Sequence, residues 1–308
     1  MISVITPVYN GASYLRETID SILNAINQKD IEYIVINDGS TDETEEILAS
    51  YGSQIMVYTQ ENSGESSAVN KGLELAKGEL VLIVSADDPL LDDKIFIEAE
   101  TYFNANPDVV AWYPNWKIVN PNGTFFKDVE VEEYSDTSLI GRFKCLPGPG
   151  TLIRLQAALE ISGRNPKWIF VGDYDFWLRL SRIGKLQKRD EYLAQWRFHP
   201  DSTSIAKRGK MMASERIEVI NEFLSTNKVD QSLAREARAH AYYYAARLSL
   251  FSSEVPGKKY LWFALRSNKW KIQEGNFFVY ISICFLPITR ILVKKASPIL
   301  RKFGKVLT

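Results

Sequence analysis

Apolar and polar residues fall along the first hundred positions in blocks of two kinds. Ile2 to Thr6 is a short apolar run ended by Pro7, and Ile31-Glu32-Tyr33-Ile34-Val35-Ile36 is a second. Ile55 to Thr59 is a third, and Leu80-Val81-Leu82-Ile83-Val84 is apolar at every position, as a strand covered on both faces of a parallel sheet must be. Between these runs the period changes. Ser13 is placed to cap a helix whose apolar face is Tyr14, Leu15, Ile19, Ile22 and Leu23. Thr41 or Asp42 caps a second helix through Leu48, and Ser67 to Lys77 form a third, closed by Gly78. Strands alternating with helices over short connections predict βαβ units: a mostly parallel sheet with helices on both faces.

Three of these strands leave the core in polar clusters: Thr6-Pro7-Val8-Tyr9-Asn10, Asn37-Asp38-Gly39-Ser40 and Ser85-Ala86-Asp87-Asp88. In a parallel sheet all three converge on one edge, beyond the carboxyl ends of the strands, where open α/β sheets bind ligands. Asp87 and Asp88 offer hard oxygen ligands there, suited to Mg²⁺ or Mn²⁺ holding phosphate oxygens. Asp-Asp-Pro is also ordinary turn chemistry, and the sequence leaves both readings open.

The second half has a different rhythm. Ala111 to Val119, with the turn Asn120-Pro121-Asn122-Gly123, reads as a hairpin. Its aromatics serve either as a platform on which sugar rings could stack or as core, with core expected for at least one of Trp112 and Trp116. Leu146-Pro147-Gly148-Pro149-Gly150 is a rigid loop before the strand Thr151 to Arg154. In Gly172-Asp173-Tyr174-Asp175-Phe176-Trp177-Leu178-Arg179-Leu180, the apolar face of Phe176, Trp177 and Leu180 predicts a helix. Its two carboxylates then lie at the N-terminal end, which the helix dipole favours and where either could cap. From about 206 the pattern is helical, with a turn at Pro256-Gly257. Phe277 to Thr289 is apolar and aromatic, and Arg290, Lys294, Lys295, Arg301, Lys302 and Lys305 follow. That run is short for a bilayer span but suits an anionic membrane interface; packing on the catalytic domain or on a second subunit is the alternative.

Composition narrows little. The 308 residues are 45% hydrophobic and 24% charged, as in a folded soluble protein, and the net charge of −1 gives no reason to expect nucleic acid. Cys145 and Cys284 have neither metal nor redox spacing and fit a reducing compartment. No secretory signal is visible at Met1, and no run of about 18 apolar residues predicts a transmembrane helix. A cytoplasmic protein, peripheral on the inner face of the cell membrane through its C-terminal region, is the expected setting.

Four motifs in order carry a resemblance. Val4-Ile5-Thr6-Pro7-Val8-Tyr9-Asn10, Asn37-Asp38-Gly39-Ser40-Thr41-Asp42, Asn70-Lys71-Gly72-Leu73 and Ser85-Ala86-Asp87-Asp88 resemble the family 2 glycosyltransferases of GT-A fold, over about residues 1 to 205. The resemblance implies a nucleotide-sugar-binding half over 1–95, an acceptor-binding and catalytic half over 96–205, and a C-terminal helical region over 206–308. It implies a nucleotide-diphosphate sugar donor, a divalent metal, and transfer with inversion to a hydroxyl of a glycan. The acceptor would be lipid-linked, in bacterial cell-surface polysaccharide synthesis.

Carried over to this chain, Thr6, Pro7 and Tyr9 would contact the base. Asp38 would accept a base N–H, favouring a UDP- or dTDP-linked donor. Ser85, Ala86, Asp87 and Asp88 would line the donor site, with Asp87 on the metal and Asp88 holding the loop or the ribose. Asp173 would be the catalytic base, while Asp175 would pair with a nearby basic residue. In the segment Trp196-Arg197-Phe198-His199, which resembles the family's closing loop, His199 would reach the metal and Arg197 the phosphates. Two positions depart from the pattern. Ser85 stands where the family's signature has its first Asp, and Val69 where an Arg often precedes Asn70; Lys71 could compensate electrostatically or simply face water. These departures keep open a non-catalytic nucleotide- or glycan-binding protein. A nucleotidyltransferase would need a Gly- and Arg/Lys-rich loop after the first strand, and Thr6 to Asn10 has none.

Overall fold

The computed structural model describes residues 1–26, 31–142, 144, 147–199, 202, 209–250, 252 and 254–267. The chain forms two compact units, Met1–Ser135 with Cys145–Ser202, and Asp136–Lys144 with Thr203–Thr308.

The first unit is built on an eight-stranded sheet. Its strands are β1 (Ile2–Val8), β2 (Ile31–Asn37), β3 (Met56–Thr59), β4 (Leu80–Ile83), β5 (Val109–Val119), β6 (Phe125–Val129), β7 (Leu152–Arg154) and β8 (Lys185–Arg197). The order is β3-β2-β1-β4-β7-β5-β6, with β8 on β5. β1 is parallel to β2 and β4, β2 to β3, and β5 to β8, whereas β7 is antiparallel to β4 and β5, and β6 to β5. The helices of this unit are α1 (Leu15–Ile26), α2 (Thr44–Ala49), α3 (Glu65–Leu75), α4 (Ala99–Ala105), α5 (Leu155–Glu160) and α6 (Gly172–Leu180).

Each element follows from its sequence. Leu15, Ile19 and Ile22 of α1 are fully buried, on the face that their spacing predicts. Val4, Val35 and Leu82 share their core cluster. Each such side chain contributes roughly 1.5–3 kcal/mol by leaving water. Two expectations are corrected. β1 does not stop at Pro7 but runs to Val8, with Pro7 paired to Ile36. Its ladder to β4 ends at Ile5, so by Pro7 the strand has become an edge and a missing N–H is tolerated. Gly78 does not close α3, which ends at Leu75. A Cβ at Gly78 would lie 2.7 Å from the Ser3 amide nitrogen, so the glycine marks a close chain crossing. Gly72 has the same logic inside α3. A Cβ there would stand 2.3 Å from Ile5 Cγ2, so the backbone of the helix rests directly on the Ile5 side chain.

The second half of this unit holds the predicted hairpin, β5 and β6 joined through Asn120 to Gly123. Trp112 belongs to the core, stacked on Tyr102 at 4.1 Å between ring centroids. Trp116 is half-buried, edge-on to Trp196 at 6.2 Å. β8 is long and mostly polar, which hid it from the hydrophobic pattern.

The second unit contains α7 (Lys210–Thr226), α8 (Gln231–Leu248) and α9 (Gly257–Ser267). Asp230 caps α8, its carboxylate accepting from the amides of Ser232 and Leu233. Ala239, Tyr243 and Ala246 on α8 pack with Leu261 and Ala264 of α9; the small side chains let the two helices approach closely. Among the described residues no helix is long and apolar enough to cross a membrane. The apolar run Phe277 to Thr289 and the basic residues after it lie outside the described residues.

Candidate active site

The loops after β1 and β2 are hydrogen-bonded into one surface. The amide of Asn10 donates to Ser40 Oγ at 3.0 Å, and the Thr41 amide donates to Asn10 Oδ1 at 2.7 Å. Asp42 accepts from the amides of Ala12 and Thr44, both at 3.1 Å, and so joins the first loop to the start of α2. Tyr9 projects from this surface with its side chain about half exposed (51%). Thr6 and Pro7 are buried. Thr6 Oγ1 bonds the Tyr33 hydroxyl at 3.1 Å, and burial pushes that phenol far above its ordinary value, so it stays protonated. The side chains of Thr6 and Pro7 therefore shape the loop from inside.

Asp38 is buried and nearly saturated. Its Oδ1 accepts from Gln60 Nε2 at 2.8 Å and from the Ser63 amide at 2.9 Å, and its Oδ2 from the Gly64 amide at 2.8 Å. A carboxylate has about four acceptor positions, so roughly one remains for a ligand. Through these bonds the residue fixes the segment that leads into α3.

The loop after β4 is assembled from far along the chain. Asp88 is buried, and its Oδ1 accepts the Arg197 amide at 2.7 Å. Burial, and after it the charge of Asp87, pushes the Asp88 carboxyl well above the usual carboxylate range; Arg197 opposes the push and Glu65 adds to it. Asp87 keeps its side chain about a quarter exposed and meets His199, with Oδ2 to Nε2 at 2.7 Å across 112 residues. Arg197 is placed differently from the expectation that it reaches a phosphate. Its side chain is 1% exposed; Nε donates to the Asp87 carbonyl, Nη1 donates to the Pro121 carbonyl, each at 3.0 Å, and Nη2 lies 2.7 Å from Glu17 Oε2. A buried guanidinium with those partners is a strap across the site. Ser85 is half-buried, and its carbonyl accepts the Asp88 amide in the turn; the Ala86 carbonyl accepts Thr18 Oγ1.

Asp173 is exposed in the first turn of α6. A Cβ on the preceding Gly172 would stand 3.0 Å from Ser66 Oγ, so the beginning of α6 abuts the beginning of α3. Glu65, next to Ser66, is the residue whose charge reaches Asp88. Asp173 thus lies beside the start of α3, which follows β3 at the same carboxyl edge of the parallel strands as the loop after β4. Asp175 pairs with Arg179, Oδ2 to Nε at 2.8 Å. Lys71 lies 3.3 Å from Glu74 and over the ring of Tyr58.

Sequence reasoning missed three groups. Tyr14, read as part of an apolar helix face, packs against both Arg197 and His199. Glu17, three residues on, meets Arg197. Gln60 and Ser63 hold Asp38. A Tyr and a Glu at i and i+3 at a helix start were a visible signal for the first two; nothing local marks the third.

An Asp–His pair, a buried strap and an exposed acid thus gather at the carboxyl edge of the sheet. Residues 3–146, just under half of the chain, match Glycosyl transferase family 2. A Rickettsia bellii protein named as an uncharacterized glycosyltransferase is 30% identical over 294 residues, 92% of this chain and 41% of that protein. The chain spans 41% and 35% of the length of this relative and of a Rickettsia felis one. S. aureus TarS in complex with UDP superposes with a TM-score of 0.56 at 18% identity, over 90% of this chain and 92% of that one. The mannosyltransferase PcManGT from Pyrobaculum calidifontis, in complex with GDP-Man and Mn²⁺, gives 0.57 at 16% identity over 99% and 83%. The fold is of GT-A type, a mixed sheet flanked by helices with a C-terminal helical region.

Proposed function

We propose that this chain is a metal-dependent inverting glycosyltransferase, moving one sugar from a nucleotide diphosphate to a hydroxyl of a glycan. One observation carries the reading: the contact of Asp87 with His199, at the strand edge that also bears Asp173. Among the described residues no cluster of three or more His, Cys, Asp or Glu forms a cage of its own. A site of one carboxylate and one imidazole suits a cation completed by substrate phosphates. The fit is geometric. Asp87 Oδ2 and His199 Nε2, 2.7 Å apart, would together hold the cation once their mutual hydrogen bond gives way to it. Mg²⁺ or Mn²⁺ held there would neutralise the charge growing on the leaving diphosphate.

The chain's own residues supply the rest. Tyr9 offers an aromatic face to the base, and Asp38 its one remaining acceptor position to a base N–H, which favours uracil or thymine. The buried Asp88 and Arg197 hold the loop on which Asp87 is carried. Asp173 takes the proton of the acceptor hydroxyl as its oxygen bonds to the anomeric carbon and the bond to the diphosphate breaks. Attack from the face opposite the leaving group gives inversion. TarS with UDP and PcManGT with GDP-Man and Mn²⁺ support a nucleotide donor and a divalent cation by likeness of fold. A glycan acceptor at the cell envelope, and peripheral attachment through the tail from Phe277, are supported by the family match and by the sequence.

The test is transfer or donor hydrolysis with UDP- and dTDP-sugars and Mn²⁺, followed by calorimetry of UDP binding. Asp173→Asn is expected to lower turnover by about 10²–10⁴-fold, the usual contribution of a positioned general base, with UDP affinity retained. Turnover unchanged in that variant would remove the base assignment.

A further inference from the structure

His199 lies two residues beyond the last residue of β8, yet its side chain is buried and fixed in contact with Asp87. What fixes it is a stack reaching to the start of α1. The ring of Tyr14 lies 4.8 Å from the imidazole of His199, centroid to centroid, at a tilt of 49°. The same ring lies 4.9 Å from the guanidinium carbon of Arg197. Glu17, one turn along, meets that guanidinium at 2.7 Å from its outer edge. The guanidinium's inner edge holds the Asp87 carbonyl, and the Arg197 amide holds Asp88. One aromatic ring and one carboxylate thereby brace both members of the Asp87–His199 pair from behind.

We propose that Tyr14 and Glu17 are positioning residues of the transfer site: through Arg197 and the face of His199 they keep Asp87 and His199 preset as a pair of ligands for a divalent cation. The inference rests on the functional reading above and deepens it. Both act through Arg197 and His199 rather than on substrate. A histidine on a segment that has left its strand would otherwise sample several rotamers, and ordering it on metal binding would weaken affinity. The cation–π and ring contacts remove that freedom beforehand. Groups behind a ligand commonly set metal affinity in this way, and their loss lowers it about 10–100-fold.

The experiment measures Mn²⁺ binding directly, in the presence of UDP and without turnover, by electron paramagnetic resonance of free Mn²⁺. Tyr14→Leu and Glu17→Ala are each expected to raise the Mn²⁺ dissociation constant about tenfold or more, whereas Tyr14→Phe, which keeps the ring, stays near wild type. Thermal midpoints in EDTA check that each variant folds. Glu17 is exposed, so its variant tests the idea even where Tyr14→Leu does not fold. Wild-type affinity in both Tyr14→Leu and Glu17→Ala, alongside loss of Mn²⁺ in Asp87→Asn, overturns the bracing role and leaves the functional reading standing. Wild-type affinity in Asp87→Asn as well overturns both.

Discussion

The loop after β2 and the loop after β4 each carry a buried parallel strand out to an aspartate, and they are held by opposite means. Asp38 is fixed by donors 22 to 26 residues away, all in the next connection, and its carboxylate is almost filled by them. Asp87 is fixed from residues more than a hundred positions away, through its carbonyl and through His199, and part of its carboxylate remains exposed. The first acid holds the structure around it. The second is held by the structure and stays available for chemistry. Proximity in sequence to the strand ends makes the two look alike, and only the bonding separates their work.

That contrast can be broken from either side. Asp87→Asn should leave folding stability within about 1 kcal/mol of wild type but lower turnover on the order of 10³-fold, the several kcal/mol of charge stabilisation that a lost metal ligand removes. Urea midpoints and kcat on the same preparations check both halves. Asp38→Ala should act the other way, costing about 2–4 kcal/mol of stability as three donors lose an ionised partner, with weaker UDP binding as a consequence of a loosened loop. If Asp38→Ala unfolds at the wild-type urea concentration, the contrast fails.

A finer test uses the neighbour of Asp87. The fold raises the Asp88 carboxyl above its unfolded value, so ionising it opposes folding. That penalty is absent below the unfolded value near about 3.9, grows as pH rises towards the raised value, and is constant beyond it. Asp88→Asn cannot ionise, so its stability relative to wild type should rise with pH across that window in EDTA. Denaturant titrations from acid to neutral pH read the trend, and a flat difference would contradict it.

Most of the framework was legible from sequence because it depends on local pattern. The apolar runs at 2–6, 31–36 and 80–84 became β1, β2 and β4, and α6 begins with Asp173 and Asp175 in its first turn. The misreadings share a cause. Pro7 stops a strand only where a neighbouring strand needs its N–H, and Gly78 reads as a cap unless the Ser3 backbone is known to pass beside it. Arg197 looked like a phosphate ligand because its partners at Glu17, Asp87 and Pro121 are invisible in a linear chain. Tyr14 looked apolar for the same reason. A residue type gives its chemistry locally; who receives that chemistry is decided by strand order.

The bare contact of Gly72 with Ile5 works as a fulcrum. From it, α3 extends about 10 Å, seven residues at 1.5 Å each, to the end where Glu65 and Ser66 sit beside the acids. A methyl group at 72 would overlap Ile5 Cγ2, so either the helix or that side chain must shift to admit it. A shift of α3 would reach both the Ser63 and Gly64 amides that hold Asp38 and the Ser66 hydroxyl beside Gly172.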